Sequence, residues 1–281
     1  MDRYCLMGHP VAHSKSPWIH ARFAALTGQA LSYEARLVPL DGFLAAVREF
    51  REQGGRGCNI TVPFKFEAAA LAVEGLTPRA TLAGACNTLR FDQDGSLIGD
   101  NTDGIGLVRD IEHNAGLPLA GQRVLLVGAG GAAAGVLGPL IAAGPATLHV
   151  ANRTVGNAHV LVERHHGLAA QHRVDLQACS LEAVDAGYDL VINGTASSLG
   201  GDAVPVAARV LRPGALACDM MYGPAAQGFL DWAARHGATG RDGLGMLVEQ
   251  AAESFQLWRG VRPPSAQVLA ELRALLAPTR P

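Results

Sequence analysis

Lys65 stands where a short strand, Cys58-Asn59-Ile60, passes into Thr61-Val62-Pro63-Phe64 and a helix. Pro63 ends that strand because it has no amide proton for the ladder. A strand end that opens a helix is a usual place for chemistry in α/β folds. A surface lysine fits the same position. Asp103 lies in the polar, Gly-bracketed cluster Gly99-Asp100-Asn101-Thr102-Asp103-Gly104. It could N-cap the following helix or face a cleft. Ser14 and Ser16 flank Lys15 in His13-Ser14-Lys15-Ser16-Pro17. Ser16 suits a helix N-cap with Pro17 as the first helical residue. Ser14 has no such duty, so the two hydroxyls are candidates to bind a polyol or carboxylate. Gln250 sits at the edge of an apolar helix face, looking into a cleft or simply solvated. His9 and His13 are four apart, but loop residues separate them, so no metal site is expected.

A second constellation follows an apolar run. Val124-Leu125-Leu126-Val127 reads as a strand buried on both faces. Gly128, Gly130 and Ala133 then match the G-x-G-x-x-G/A fingerprint. Its glycines permit a tight turn and a close pyrophosphate, and its third small residue lets helix and strand pack. The next helix aims free N–H groups at phosphate. About 20 residues on, where an acidic residue would hold an NAD ribose, stand Asn152-Arg153-Thr154. A guanidinium and a hydroxyl suit a 2′-phosphate instead.

Composition narrows the class. The 281 residues allow roughly two domains. Hydrophobic residues make up 49%, enough for sizeable cores, and a net charge of -2 gives no footprint for nucleic acid. Five scattered cysteines form no C-x-x-C pair, so buried thiols in a reducing cytoplasm are expected. Residues 124–151 lack Asp, Glu, Lys and Arg, yet six glycines and two prolines interrupt them. A soluble βαβ unit accounts for that stretch better than a membrane span.

The elements that position these residues follow from periodicity. Strands are predicted at 4–7, 33–38, 58–60, 147–151, 189–193 and 215–219. Asp94-Gly95 predicts a hairpin turn with 96–98 as the return strand. Helices are predicted after Pro17, around 43–50, over 105–114 and 131–143, from Gly243, and at the C-terminus. Pro139 should kink or distort its helix, and the tail from Pro278 should fray. Strand–helix alternation predicts a doubly wound parallel sheet.

Taken together, the motifs resemble the shikimate dehydrogenase family over nearly the whole chain. They are His13-Ser14-Lys15-Ser16-Pro17, Asn59-Ile60-Thr61-Val62-Pro63-Phe64-Lys65, Gly84-Ala85-Cys86-Asn87-Thr88, Asp100-Asn101-Thr102-Asp103-Gly104, Gly128-Ala129-Gly130-Gly131-Ala132, Asn152-Arg153-Thr154 and Gly243-Leu244-Gly245-Met246-Leu247. The resemblance implies NADPH-dependent reduction of 3-dehydroshikimate to shikimate, on the route to chorismate and aromatic amino acids. It implies substrate contacts from Ser14, Ser16, Thr61, Asn87, Tyr222 and Gln250, with Lys65 and Asp103 as the catalytic pair. It implies NADP contacts from Gly128, Ala129, Gly130, Gly131, Ala132, Asn152, Arg153, Thr154, Met220 and Gly243. No metal, nucleic acid or membrane is called for, and a homodimer is the candidate assembly.

Two departures from the family stand out. Asn157 occupies the place of a second basic residue, and an Asn-x-Thr-Ser-x-Gly loop is replaced by Asn193-Gly194-Thr195-Ala196-Ser197-Ser198. The expected architecture is a discontinuous substrate domain, 1–103 completed by 243–281, around an inserted Rossmann domain, 104–242. Lys65 and Asp103 are expected to meet across an interdomain cleft. An NAD-preferring quinate/shikimate dehydrogenase and a non-catalytic ligand sensor are the rival readings.

Overall fold

The computed structural model describes residues 1–195 and 204–277. It divides into two compact units, 1–106 with 248–281 and 107–247.

In the first unit, β1 (Asp2–Gly8), α1 (Ser16–Thr27), β2 (Leu31–Leu37), α2 (Phe43–Glu52), β3 (Gly55–Ile60), α3 (Lys65–Leu71), α4 (Pro78–Ala83), β4 (Thr88–Phe91) and β5 (Leu97–Asp100) follow in turn. They build a five-stranded sheet of order β2-β1-β3-β4-β5. β1 pairs in parallel with β2 and β3, while β4 runs antiparallel to β3 and β5. One core cluster joins Cys5 and Met7 of β1, Phe43, Val47 and Phe50 of α2, and Phe64 and Ala68 beside α3. Of the helical stripe Phe43, Leu44, Val47 and Phe50 read from the sequence, Phe43, Val47 and Phe50 face the core, at most 4% exposed, whereas Leu44 is 54% exposed.

The direction of the strands decides where function gathers. β3 and β5 point the same way, and the segment entering antiparallel β4 meets their exits. Lys65, Asn87 and Asp103 come from the exit of β3, the entry to β4 and the exit of β5. One end of the sheet therefore collects all three.

The second unit begins within α5 (Asp103–Arg109), which runs on through a wider turn at Asp110–Asn114. After it come β6 (Arg123–Val127), α6 (Gly131–Ala142), β7 (Thr147–Ala151), α7 (Val155–His172), β8 (Asp175–Cys179), β9 (Tyr188–Asn193), β10 (Leu211–Asp219) and β11 (Thr239–Arg241). The sheet order is β11-β10-β9-β6-β7-β8, parallel throughout. Order reverses between β6 and β9, the switch point beside which dinucleotides bind in such sheets. The apolar run at β6 is explained by its two covered faces. Val124 and Leu126 join one cluster, Leu125 and Val127 the other. Burial of each such side chain contributes about 1.5–3 kcal/mol.

Helix α6 continues through Pro139 to Ala142, since the proline removes one amide bond and the packed face holds the rest. The helix Leu244–Arg259 starts in the second unit and continues in the first, and Ser265–Leu276 closes the described chain. The tail from Pro278 and residues Ala196–Ser198 of the altered loop lie outside the described residues.

Candidate active site

Lys65 Nζ lies 2.5 Å from Asp103 Oδ2, and the two side chains are 21% and 10% exposed. The other oxygen, Asp103 Oδ1, accepts from Asn87 Nδ2 at 2.7 Å. Asn87 Nδ2 also reaches Thr102 Oγ1 at 2.9 Å and Gln250 Oε1 at 3.3 Å. Asp103 is thus the first residue of α5 and not its cap, because both carboxylate oxygens are spent on side chains. The pair belongs to one unit and does not form across a domain boundary. The hairpin places Asn87 and Asp103 together, since Thr88 pairs with Asp100.

Two devices hold this cluster. The first is ionic. Arg79 grips Asp100 through Nε at 2.7 Å and Nη2 at 2.5 Å, while Thr77 Oγ1 donates to Asp100 at 2.6 Å. Burial opposes ionisation of Asp100, but Arg79, Thr77 and the Asn101 amide outweigh it and lower its pKa. Arg79 also reaches Glu253 at 3.1 Å, and Arg262 bridges Glu253 and Glu249 at 2.7 Å each. The loop before Asp103 and the helix carrying Gln250 are therefore tied together. The second device is steric. A Cβ on Gly106 would meet the Gln250 backbone N at 2.6 Å. Only glycine lets α5 approach that helix closely enough for Gln250 to reach Asn87 and Thr102.

Ser14 and Ser16 exchange the roles read from the sequence. Ser16 is the first helical residue and makes no cap, whereas Ser14 Oγ accepts from the Ser16 N–H at 3.2 Å. The helix begins one residue earlier than a Ser16 cap requires, so the Ser16 amide is itself one of the free N–H groups and the preceding hydroxyl takes it. Ser16 is 5% exposed. Thr61 follows β3 directly, its amide bonded to Met7 O at 2.9 Å.

In the second unit the glycine turn has the backbone its motif needs. Gly128 has φ +111, and a Cβ there would meet Gly194 O at 3.0 Å. Apart from its chain neighbours, a Cβ on Gly130 would meet no atom of the described residues within 4 Å, so their packing does not demand that glycine. Helix α6 opens at Gly131 with no side-chain cap and no acidic residue in its first turn. Free amides there are a ready anion site. Ala129 and Ala132 complete that turn. Asn152 Nδ2 donates to Thr154 O at 2.9 Å, shaping the turn from which the exposed Arg153 projects. Met220 N bonds Asn193 O at 3.0 Å, and a Cβ on Gly243 would strike Met220 O at 2.3 Å. Tyr222 follows in the same unit, and burial raises its phenol pKa. Among the described residues, no group of three His, Cys, Asp or Glu could hold a metal. No described helix is long and apolar enough to cross a membrane.

Three family models match along the chain. Residues 6–89 match the shikimate dehydrogenase substrate binding domain, 111–200 the shikimate/quinate 5-dehydrogenase model, and 243–273 the shikimate 5'-dehydrogenase C-terminal domain. A relative in Acidovorax sp. (strain JS42), named shikimate dehydrogenase (NADP(+)), is 66% identical over 98% of this chain and 97% of its own. The chain belongs to the shikimate dehydrogenase family. Two solved relatives share its fold. An Ael1 enzyme from Pseudomonas putida is 45% identical, with TM-score 0.88 over 97% of this chain and 98% of its own. Shikimate 5-dehydrogenase from Thermus thermophilus, in complex with NADP(H) and shikimate, is 33% identical, with TM-score 0.83 over 98% and 99%.

Polar residues behind the site escaped the sequence reading. Asn59, Thr88 and Ser254 are at most 4% exposed and bonded to one another, and Arg79 with Asp100 was not singled out as a pair. His20 is also buried, stacked on Tyr33 at 4.1 Å. Among the described residues, neither of its ring nitrogens has a hydrogen-bond partner. Burial pushes its pKa down to about 3, with neighbouring Asn59 opposing the shift. The folded state therefore holds His20 neutral, while the unfolded chain protonates below about pH 6.5. Its contribution is complete above that pH and is lost progressively as pH falls toward 3. Between pH 6.5 and 5 the loss is about 2 kcal/mol. We expect His20→Phe, which keeps the stack, to flatten the pH dependence of the urea midpoint across that window. An unchanged slope would assign the acid sensitivity elsewhere.

Proposed function

We propose that this protein reversibly reduces 3-dehydroshikimate to shikimate with NADPH, on the route to chorismate and aromatic amino acids. The contact that carries this reading is Lys65 Nζ to Asp103 Oδ2 at 2.5 Å, with Asn87 on the other carboxylate oxygen. The first unit binds the substrate and the second the dinucleotide. Gly128, uncapped α6 and Arg153 fit a dinucleotide bearing a 2′-phosphate. NADPH, when bound, supplies the hydride to the ring ketone.

The chain supplies the proton. As the carbonyl carbon gains hydride, its oxygen becomes an alkoxide. The Lys65 ammonium stabilises that charge and donates a proton from Nζ; in the alcohol-oxidation direction the neutral amine accepts it. Asp103 holds the ammonium in place and shares its proton. Ser14, Ser16, Thr61, Asn87, Tyr222 and Gln250 present neutral groups to the carboxylate and hydroxyls of the substrate. Ala129, Gly130, Gly131, Ala132, Asn152, Thr154, Met220 and Gly243 line the cofactor side.

Steady-state kinetics with shikimate and quinate, each with NADP and NAD, test the reading. We expect kcat/KM to be highest for shikimate with NADP. A maximum with quinate and NAD would replace it by the quinate/shikimate alternative. The same reading places the enzyme in the cytoplasm, which its free cysteine thiols support. It takes a homodimer as the assembly, which sedimentation velocity would test.

A further inference from the structure

Behind Asn87 the buried polar side chains form an ordered series. Tyr33 Oη donates to Asn59 Oδ1 at 2.8 Å. Asn59 Nδ2 donates to Thr88 Oγ1 and to Ser254 Oγ, at 3.0 Å each. Thr88 Oγ1 donates to Asn87 Oδ1 at 2.9 Å. Asn87 Nδ2 then donates to Asp103 Oδ1 at 2.7 Å.

The chemistry of the groups fixes the direction. Burial raises the Tyr33 phenol well above its ordinary pKa, so it stays a donor. An amide that accepts through Oδ1 presents donors at Nδ2, which makes Thr88 Oγ1 an acceptor there. With Ser254 Oγ, 2.8 Å away, donating to Thr88, the single hydroxyl proton of Thr88 goes to Asn87 Oδ1. The Thr102 amide donates to the same oxygen at 2.8 Å. A flipped Asn87 would set its carbonyl against the Asp103 carboxylate and its NH₂ against two donors. Only one orientation of the Asn87 amide satisfies both Asp103 and the Thr102 amide. The ring of Tyr33 is held by its stack on His20. The series thus runs from Tyr33 to the proposed catalytic carboxylate.

We propose that Tyr33, Asn59 and Thr88 are positioning residues for the reaction, a one-way chain of buried donors that orients Asn87, which holds Asp103, which holds Lys65. This inference rests on Lys65 and Asp103 being the acid–base pair. Its physical basis is twofold. Donors aligned in one direction polarise and strengthen one another in a low-dielectric interior. Small displacements of a reacting group cost large factors in rate.

The test uses Thr88→Val, which keeps shape but removes the proton, Thr88→Ser, which restores it, and Tyr33→Phe. Lys65→Ala serves as the reference. For Thr88→Val we expect kcat to fall about tenfold with both KM values within about twofold. Thr88→Ser should return kcat to near the wild-type value. Tyr33→Phe should lower kcat less, because it acts through two further links. The double variant Tyr33→Phe/Thr88→Val should be no slower than Thr88→Val alone, since links in series are not additive. Wild-type kcat in Thr88→Val, beside a collapsed Lys65→Ala, overturns the positioning chain alone. Multiplying effects in the double variant overturn it too, as two independent packing defects. Near wild-type kcat in Lys65→Ala overturns the acid–base assignment beneath it. Should Thr88→Val fail to fold, Tyr33→Phe decides: an unchanged kcat refutes the chain, and a fall in kcat at constant KM supports it.

Discussion

Replacing Lys65 with alanine is expected to lower kcat by about 100-fold or more, the scale of a general acid–base contribution. Substrate affinity should change much less, because Ser14, Ser16, Thr61, Asn87 and Gln250 keep their neutral contacts. The fold should survive. The Lys65 side chain is 21% exposed and its structural bond is made by the backbone, Cys86 N to Lys65 O at 2.9 Å. The loss arises at the alkoxide, which has no ammonium beside it as the hydride arrives. Asp103 remains, held by Asn87 at 2.7 Å, but it has no partner from which to pass a proton. Steady-state rates at neutral pH, with circular dichroism as a control for folding, measure this directly. A kcat near the wild-type value would make Lys65 a binding or surface residue.

What could be read from the sequence, and what could not, divides along one physical line. Local signals were sufficient where one segment carries all the information. The strand Thr147–Ala151 is bounded by Gly144-Pro145 and a polar turn, and its bounds agree with the prediction. The glycine turn is likewise local, since strand, φ +111 residue and helix start follow one another in the chain. One-residue choices were less secure. Ser14 and Ser16 are both good caps, and propensity alone cannot say which hydroxyl faces the free amide. The sequence leaves Asp103 open between cap and cleft for the same reason. Its role is fixed by Lys65, 38 positions earlier in the chain.

The polar interior was illegible because its partners are remote. Asn59 and Ser254 meet at 3.0 Å although 195 residues separate them. A buried Ser on an apolar helix face leaves no periodic signal; Ser254, 0% exposed, sits between Ala251 and Phe255 in a stripe that reads as plain core. Such groups are tolerated only when fully bonded.

Arg153→Ala is expected to raise KM for NADP about ten- to a hundred-fold, the worth of one charge-assisted hydrogen bond. KM for NAD and both kcat values should stay nearly unchanged. Arg153 follows the strand that ends at Ala151, beside the turn at Gly128, whose amide bonds Ala151 O at 2.8 Å. An acidic residue in that position would accept from the ribose hydroxyl and repel a phosphate; a guanidinium reverses both preferences. Two features soften the selectivity. Arg153 is exposed, so its contact with phosphate is screened by salt and carries the entropy of a long side chain. Asn157, exposed in the first turn of α7, adds no second charge. The effect of Arg153→Ala should therefore shrink as ionic strength rises, while the NAD reaction shows no such dependence. Asn157→Arg should act in the opposite sense, lowering KM for NADP and restoring part of what Arg153→Ala removes. Equal changes with both cofactors would take Arg153 out of phosphate recognition and leave it as a residue of the turn.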